Sequence, residues 1–165
     1  MKRQPFFQLT QSAVEQLAAN FDTPLLVLSL EQIERNYRFL KTNLPRVKFY
    51  YAMKANPDMR ILEKMAEMGA SFDVASDGEI KTLAGLGIDG ERMIYANPIK
   101  TTAGLKACNY AGVNKMTFDN IGEVEKMAKA CPGATVLLRF RIDNSSAHVD
   151  LNKKFGAARQ DAVAL

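Results

Sequence analysis

The chain has 165 residues, 47% hydrophobic and 24% charged, which is enough for one globular domain with a packed core. The apolar stretch Leu25 to Leu28 is far short of the roughly 20 residues that a membrane span needs, and Met1-Lys2-Arg3 leads into Gln4-Pro5 instead of an apolar signal core, so a soluble cytoplasmic chain is expected. Lysine and arginine number 22 against 18 aspartate and glutamate, a net charge of +4, but the two signs are interspersed. Mild basicity of this kind suits an anionic ligand at least as well as nucleic acid, and a small-molecule partner is expected, with no nucleic acid and no membrane.

In chain order, a helix is expected over residues 11–19. Asp22-Thr23-Pro24 opens an extended stretch at 25–29, and Ser29 with Gln32 three residues on reads as the cap of a helix reaching about Thr42. A regular beat then sets in. Short β-branched and aromatic runs lie at 47–52, 71–74, 92–95, 115–118 and 135–139, starting 24, 21, 23 and 20 residues apart. Helix starts follow the first four: Asn56 with Pro57 at the first helical position, Ser76 with Glu79, Thr101 or Thr102, and Asn120 with Glu123. Gly69, Gly87 and Gly112 then close three of these helices through a left-handed residue.

Strand, cap and helix repeated in this way predict an α/β fold with a parallel sheet. Such a sheet either closes as an eight-stranded barrel or stays open with helices on both faces. A closed barrel takes about 250 residues, whereas this chain offers five or six strands and stops at Leu165 within what reads as another helix. Residues 1–28 break the beat and are assigned to a separate layer, leaving 29–165 for the βα units.

Chemistry is expected at the carboxyl ends of the strands, where parallel α/β folds place their sites. Alternation along the first run puts Lys54 on the face of the small Ala52, at the strand's end. A partly buried lysine there suits a nucleophile toward an aldehyde; the alternative is a solvated loop lysine. Asp73, Asn97, Asp119 and Arg139 end the other strands, so polar groups converge on one rim. Asp and Asn at such turns also cap the following helix, and Glu79 equally fits the third position of a capping box begun by Ser76. Arg139 closes an apolar run, where burial would demand an anionic or hydrogen-bonding partner.

Other features point nowhere. Gly85-Leu86-Gly87-Ile88-Asp89-Gly90 has dinucleotide-loop spacing but follows a helix and precedes a strand, the reverse of that arrangement. Cys108 and Cys131 fit neither a disulfide framework nor zinc spacing. One histidine, His148, builds neither a triad nor a multi-histidine metal site, and no metal is expected.

Phe49-Tyr50-Tyr51-Ala52-Met53-Lys54-Ala55-Asn56, Phe72-Asp73-Val74-Ala75-Ser76, Ile94-Tyr95-Ala96-Asn97-Pro98-Ile99-Lys100, Thr117-Phe118-Asp119 and Asp150-Leu151-Asn152-Lys153-Lys154-Phe155-Gly156 occur in an order and spacing that resembles the fold-type III, pyridoxal-phosphate-dependent ornithine/lysine decarboxylases. The resemblance runs from about Asp22 to Gly156. It implies a parallel (β/α) TIM-type barrel of the alanine-racemase-like kind, incomplete here, with about five to six βα units. Residues 1–28 would then contribute to the β-sandwich domain of the complete family protein. It further implies pyridoxal 5'-phosphate as cofactor, decarboxylation of ornithine or lysine to a diamine in polyamine biosynthesis, and a homodimer. Lys54 matches the family lysine that holds the cofactor covalently. Asp73 matches an acidic neighbour of it, Glu79 an acidic position at the next helix start, and Arg139 an arginine near the phenolic side of the cofactor ring. Asp119 and Lys154 match positions of ion pairs across the dimer. His148 matches none of these, and the phosphate loop, the partner of the ring nitrogen and the stacking histidine would lie beyond Leu165. Two other readings share these residues: a non-catalytic pyridoxal-phosphate-binding barrel, and a catalytically dead homologue that acts by pairing with a decarboxylase subunit.

Overall fold

The computed structural model describes residues 7–142 and 154–165, and the chain divides into two compact units, Met1–Val47 and Lys48–Leu165. In the first, α1 (Gln11–Asn20) starts at Thr10 and α2 (Leu30–Asn43) at Ser29, whose hydroxyl accepts the Gln32 N–H at 3.1 Å. Two i,i+4 ion pairs, Glu31–Arg35 and Glu34–Arg38, both at 2.7 Å, line the solvated side of α2. Residues 25–29, expected as an extended stretch, join no ladder among the described residues.

The second unit carries the predicted beat. Its strands are β1 (Tyr50–Ala52), β2 (Ser71–Val74), β3 (Met93–Tyr95), β4 (Lys115–Phe118) and β5 (Thr135–Leu138). The intervening helices are α3 (Met59–Glu67), α4 (Asp77–Gly85), α5 (Thr102–Ala111) and α6 (Ile121–Ala130). All four ladders are parallel and the spatial order is β1-β2-β3-β4-β5. An open doubly wound sheet reverses its strand order at a switch point. An unreversed order is that of a barrel wall, so the sheet is an arc of a TIM-type barrel, as expected.

Alternation sorts the two faces. Phe72 and Val74, Met93 and Tyr95, and Met116 and Phe118 are buried, and in the helices so are Leu62, Met65, Ile80, Leu83, Leu105 and Met127. The opposite face, with Asp73, Ile94 and Thr117, is only half-buried. Predicted starts at Ser76 and Asn120 hold, and Thr101 rather than Thr102 caps α5, accepting the Gly104 N–H at 3.0 Å. Gly69, Gly87 and Gly112 have φ of 77°, 72° and 73°, as predicted for helix closers.

Three expectations are corrected. β1 is shorter than the run at 47–52: it begins only at Tyr50 and ends at Ala52, after which a 3₁₀ turn, Met53–Ala55, buries Met53. Asn56 and Pro57 do not start α3. Asn56 Oδ1 instead accepts the Asp58 N–H at 3.0 Å in a local turn, and Asp58 is the cap, accepting the Arg60 N–H and pairing with its guanidinium at 2.7 Å. The chain ends in turns, not a helix, after Ala157 bridges to Phe140.

One buried ionic cluster fixes the β3–α5 loop. Lys100 is 1% exposed and Glu123 4%. Lys100 Nζ lies 3.1 Å from Glu123 Oε2 and donates to the carbonyls of Thr117 at 2.6 Å, Pro98 at 3.2 Å and Asn97 at 3.4 Å. Lys126 pairs with the other Glu123 oxygen and donates to the Lys100 carbonyl at 2.6 Å. Burial opposes the Glu123 charge, but hydrogen bonds and charge from Lys126 and Lys100 outweigh it and hold the carboxyl below its usual range. Burial pulls the Lys100 ammonium below its ordinary value, against the upward pull of Glu123.

Glu123→Gln leaves Lys100 buried without a counter-charge and should lower the unfolding free energy by about 3 kcal/mol in denaturant titration. Lys126→Gln, whose side chain is 36% exposed, should cost under about 1 kcal/mol. A methyl group at Gly90 would overlap the Ala111 and Gly112 backbone, so Gly90→Ala should cost about 2 kcal/mol by the same measurement. Burial, helped by Cys131, pushes the Cys108 thiol up to about 12, leaving on the order of one thiolate in ten thousand at pH 8. Thiol reagents should therefore label Cys108 only as the chain unfolds, whereas rapid labelling of the folded chain would contradict this burial.

Candidate active site

The consistent strand direction brings the loops after β1, β2, β3 and β5 to one rim, where a cavity of about 400 Å³ opens. Lys54, Asp73, Glu79, Asn97, Arg139 and Phe155 are among its lining residues. Four were expected to meet as a cofactor site, and Asn97 was expected on the same rim.

Each arrives by its own local route. Lys54 is delivered by the 3₁₀ turn that buries Met53, not by strand alternation, and its side chain is exposed where partial burial was anticipated. Asp73 stands on the half-buried face of β2. Desolvation is the main cause that raises its carboxyl above the ordinary range, and nearby Glu79 adds to the rise. The Lys54 charge and a hydrogen bond from the Ala96 N–H oppose it. One lysine and two carboxyl side chains, Asp73 and Glu79, thus line the same cavity.

Glu79 is held at the start of α4. Its N–H donates to Ser76 Oγ at 3.2 Å, while its Oε2 accepts the Ala75 N–H at 2.5 Å. This is a capping box displaced by one residue, since the carboxylate reaches past the cap's own N–H. Glu79 is therefore a helix-start residue and a cavity-lining carboxylate at once. Asn97 Oδ1 accepts the Ile99 N–H at 3.2 Å, shaping the loop that the Lys100 cluster anchors.

Arg139 follows β5 and extends its ladder, donating its N–H to the Phe118 carbonyl at 2.8 Å. Its guanidinium lies 5.1 Å from the centroid of the Phe155 ring. Asp119 stands outside the cavity lining, with Oδ2 accepting the Gly156 N–H at 2.8 Å and Oδ1 accepting from Asn120 Nδ2 at 3.1 Å. Lys154 is exposed. His148 and the first four residues of the motif at 150–156 lie outside the described residues. Among those described, no cluster of histidine, cysteine and acidic side chains could hold a metal, and no helix is long and apolar enough to cross a membrane.

Phe155 and Lys100 lie within the family-like motifs, yet nothing local marks either as a site residue. Nothing in a strand-helix beat marks a buried lysine or an aromatic residue that returns 16 positions after Arg139. The signal that could have found Phe155 is the following glycine, which permits the sharp turn described below.

The donor set suits an aldehyde-bearing, anionic cofactor. A lysine amine can bond a carbonyl carbon, and an arginine cation can meet an anionic oxygen in the same cavity. Comparisons with known proteins agree with this chemistry. Residues 30–165 match the family model described as "Pyridoxal-dependent decarboxylase, pyridoxal binding domain". The chain is 50% identical to the lysine/ornithine decarboxylase of Selenomonas ruminantium over 159 residues, covering 96% of this chain and 40% of that protein. The crystal structure of lysine decarboxylase from Selenomonas ruminantium superposes with a TM-score of 0.89 at 50% identity, over 96% of this chain and 42% of that one. A lysine/ornithine decarboxylase from Vibrio vulnificus, complexed with cadaverine, gives 0.80 at 31% identity over 95% and 42%. The chain therefore spans about two fifths of the length of these relatives. By sequence, by fold and by the residues gathered at its rim, it belongs to the pyridoxal-dependent decarboxylase family, within the pyridoxal-binding domain.

Proposed function

We propose that the protein containing this chain decarboxylates a basic amino acid, ornithine or lysine, to the corresponding diamine with pyridoxal phosphate, in the cytoplasm and as a homodimer. The observation that carries the reading is the convergence of Lys54, Asp73, Glu79 and Arg139 on one cavity at the carboxyl ends of parallel strands. Relatives at 50% and 31% identity that are named for this activity support it. Within this proposal, residues 1–28 join a sandwich domain, and Asp119 and Lys154 lie at the subunit interface.

Lys54 is the residue that bonds the cofactor carbonyl. Its exposure leaves the amine accessible to an incoming substrate amine that must take its place, and afterwards it can carry a proton to the product. Asp73 keeps a carboxyl beside that amine, held above the ordinary carboxylate range chiefly by desolvation. Arg139 offers fixed positive charge to an anionic oxygen. Glu79, committed to the Ala75 N–H, holds the β2–α4 turn that forms one wall. When bound, the cofactor supplies the electron sink for the pair left behind as carbon dioxide departs.

The test uses protein expressed from the complete reading frame that encodes this chain. It should release carbon dioxide from ornithine or lysine, and Lys54→Ala should lower kcat by on the order of 10³-fold or more. Borohydride reduction of the cofactor-loaded protein should place the label on Lys54. Full activity in Lys54→Ala, or label on another lysine, would sink the assignment.

A further inference from the structure

A short return segment forms the side of the cavity facing β5. Ala157 bridges to Phe140: its N–H donates to the Arg139 carbonyl at 2.9 Å, and its carbonyl accepts the Arg141 N–H at 2.9 Å. Between these bonds and the cavity sits Gly156. It is buried, with φ of +103°, and a Cβ there would lie 3.2 Å from both the Arg141 N and the Phe140 carbonyl carbon. Its N–H donates to Asp119 Oδ2 at 2.8 Å and its carbonyl accepts from Arg141 Nε at 2.8 Å. Four hydrogen bonds with three residues, Asp119, Arg139 and Arg141, therefore fix residues 156–157, and with them the direction in which residue 155 leaves.

What this brace presents is an aromatic ring. Phe155 lines the cavity, and its centroid is 5.1 Å from the Arg139 guanidinium carbon, within range of cation–π attraction. A guanidinium on a flexible three-carbon stem loses rotamer freedom when it binds an anion. A ring already holding it in place removes part of that cost before the ligand arrives.

We propose that Phe155 is a positioning residue for Arg139: the 155–157 strap, clamped by Asp119, holds the ring against the guanidinium and keeps that cation set for the anionic edge of bound pyridoxal phosphate. The inference rests on the cofactor reading above and deepens it. It also gives Asp119 a task inside its own chain, whatever it meets on another subunit. The role is indirect, since Phe155 acts through Arg139.

A double-mutant cycle on the complete, cofactor-loaded protein tests it, read as the rate of pyridoxal phosphate release after transfer into cofactor-free buffer. Phe155→Leu and, in parallel, Phe155→Met remove the ring but keep apolar bulk, and each should speed release about fivefold. Phe155→Tyr, which restores a ring, should bring release back to within about twofold of the parent. In an Arg139→Met background the loss of the ring should add nothing, because the group it positions is gone. A merely structural Phe155 would instead give the same acceleration in both backgrounds, and that result overturns the proposal. So does parent-like release from both ring-deleted variants. If the parent protein takes up no pyridoxal phosphate, this inference and the cofactor reading fall together; slow release and normal decarboxylation in the parent with an additive cycle remove only this inference.

Discussion

Parallel pairing of consecutive strands is the constraint on which the rest depends. Because β1 to β5 run the same way and lie in chain order, every strand delivers its next few residues to one rim, and every return helix starts there. A site can then be assembled from residues far apart in sequence with no element bending out of its regular form. Lys54 and Arg139 belong to opposite edges of the described sheet, yet both line the same cavity.

Two kinds of local chemistry sharpen that delivery. Caps at Asp58, Ser76, Thr101 and Asn120 satisfy the free N–H groups of helix first turns just behind the rim. In Glu79 the cap and the site are the same residue, so its carboxylate is oriented by helix formation itself. Buried charge is the second kind. Lys100 draws the carbonyls of Asn97, Pro98 and Thr117 to one ammonium, which ties a cavity-lining loop to β4 and, through Glu123, to α6. A buried ion pair adds little net stability compared with an apolar substitute, but it tolerates few alternative arrangements. That intolerance is useful in a loop that must hold its shape beside a reactive lysine.

The strap at 155–157 completes the wall differently. It is irregular, takes one positive φ, and is held by hydrogen bonds to groups that regular elements leave available: the Asp119 carboxylate at the end of β4, the Arg139 carbonyl and the Arg141 side chain beyond β5. The Asp119 carboxylate accepts a backbone N–H from 37 positions away, while the cap of the next helix is Asn120.

The sequence by itself determined the repeating βα units, three of the helix-closing glycines, the caps at Ser29, Ser76 and Asn120, and the placing of Asp73 and Arg139 at strand ends. These follow from periodicity and from hydrogen bonds between residues at most four apart, which composition and spacing encode directly. It misplaced the start of β1, which lies at Tyr50 and not Val47, and the start of α3, where Asn56, Pro57 and Asp58 all carry turn chemistry and Asp58 takes the cap. Only the tertiary structure decided that Lys54 is exposed, that Lys100 is buried with Glu123, and that Phe155 returns to Arg139. Each of those depends on which surfaces come together across tens of residues, and no local pattern records the partner that waits on the other side.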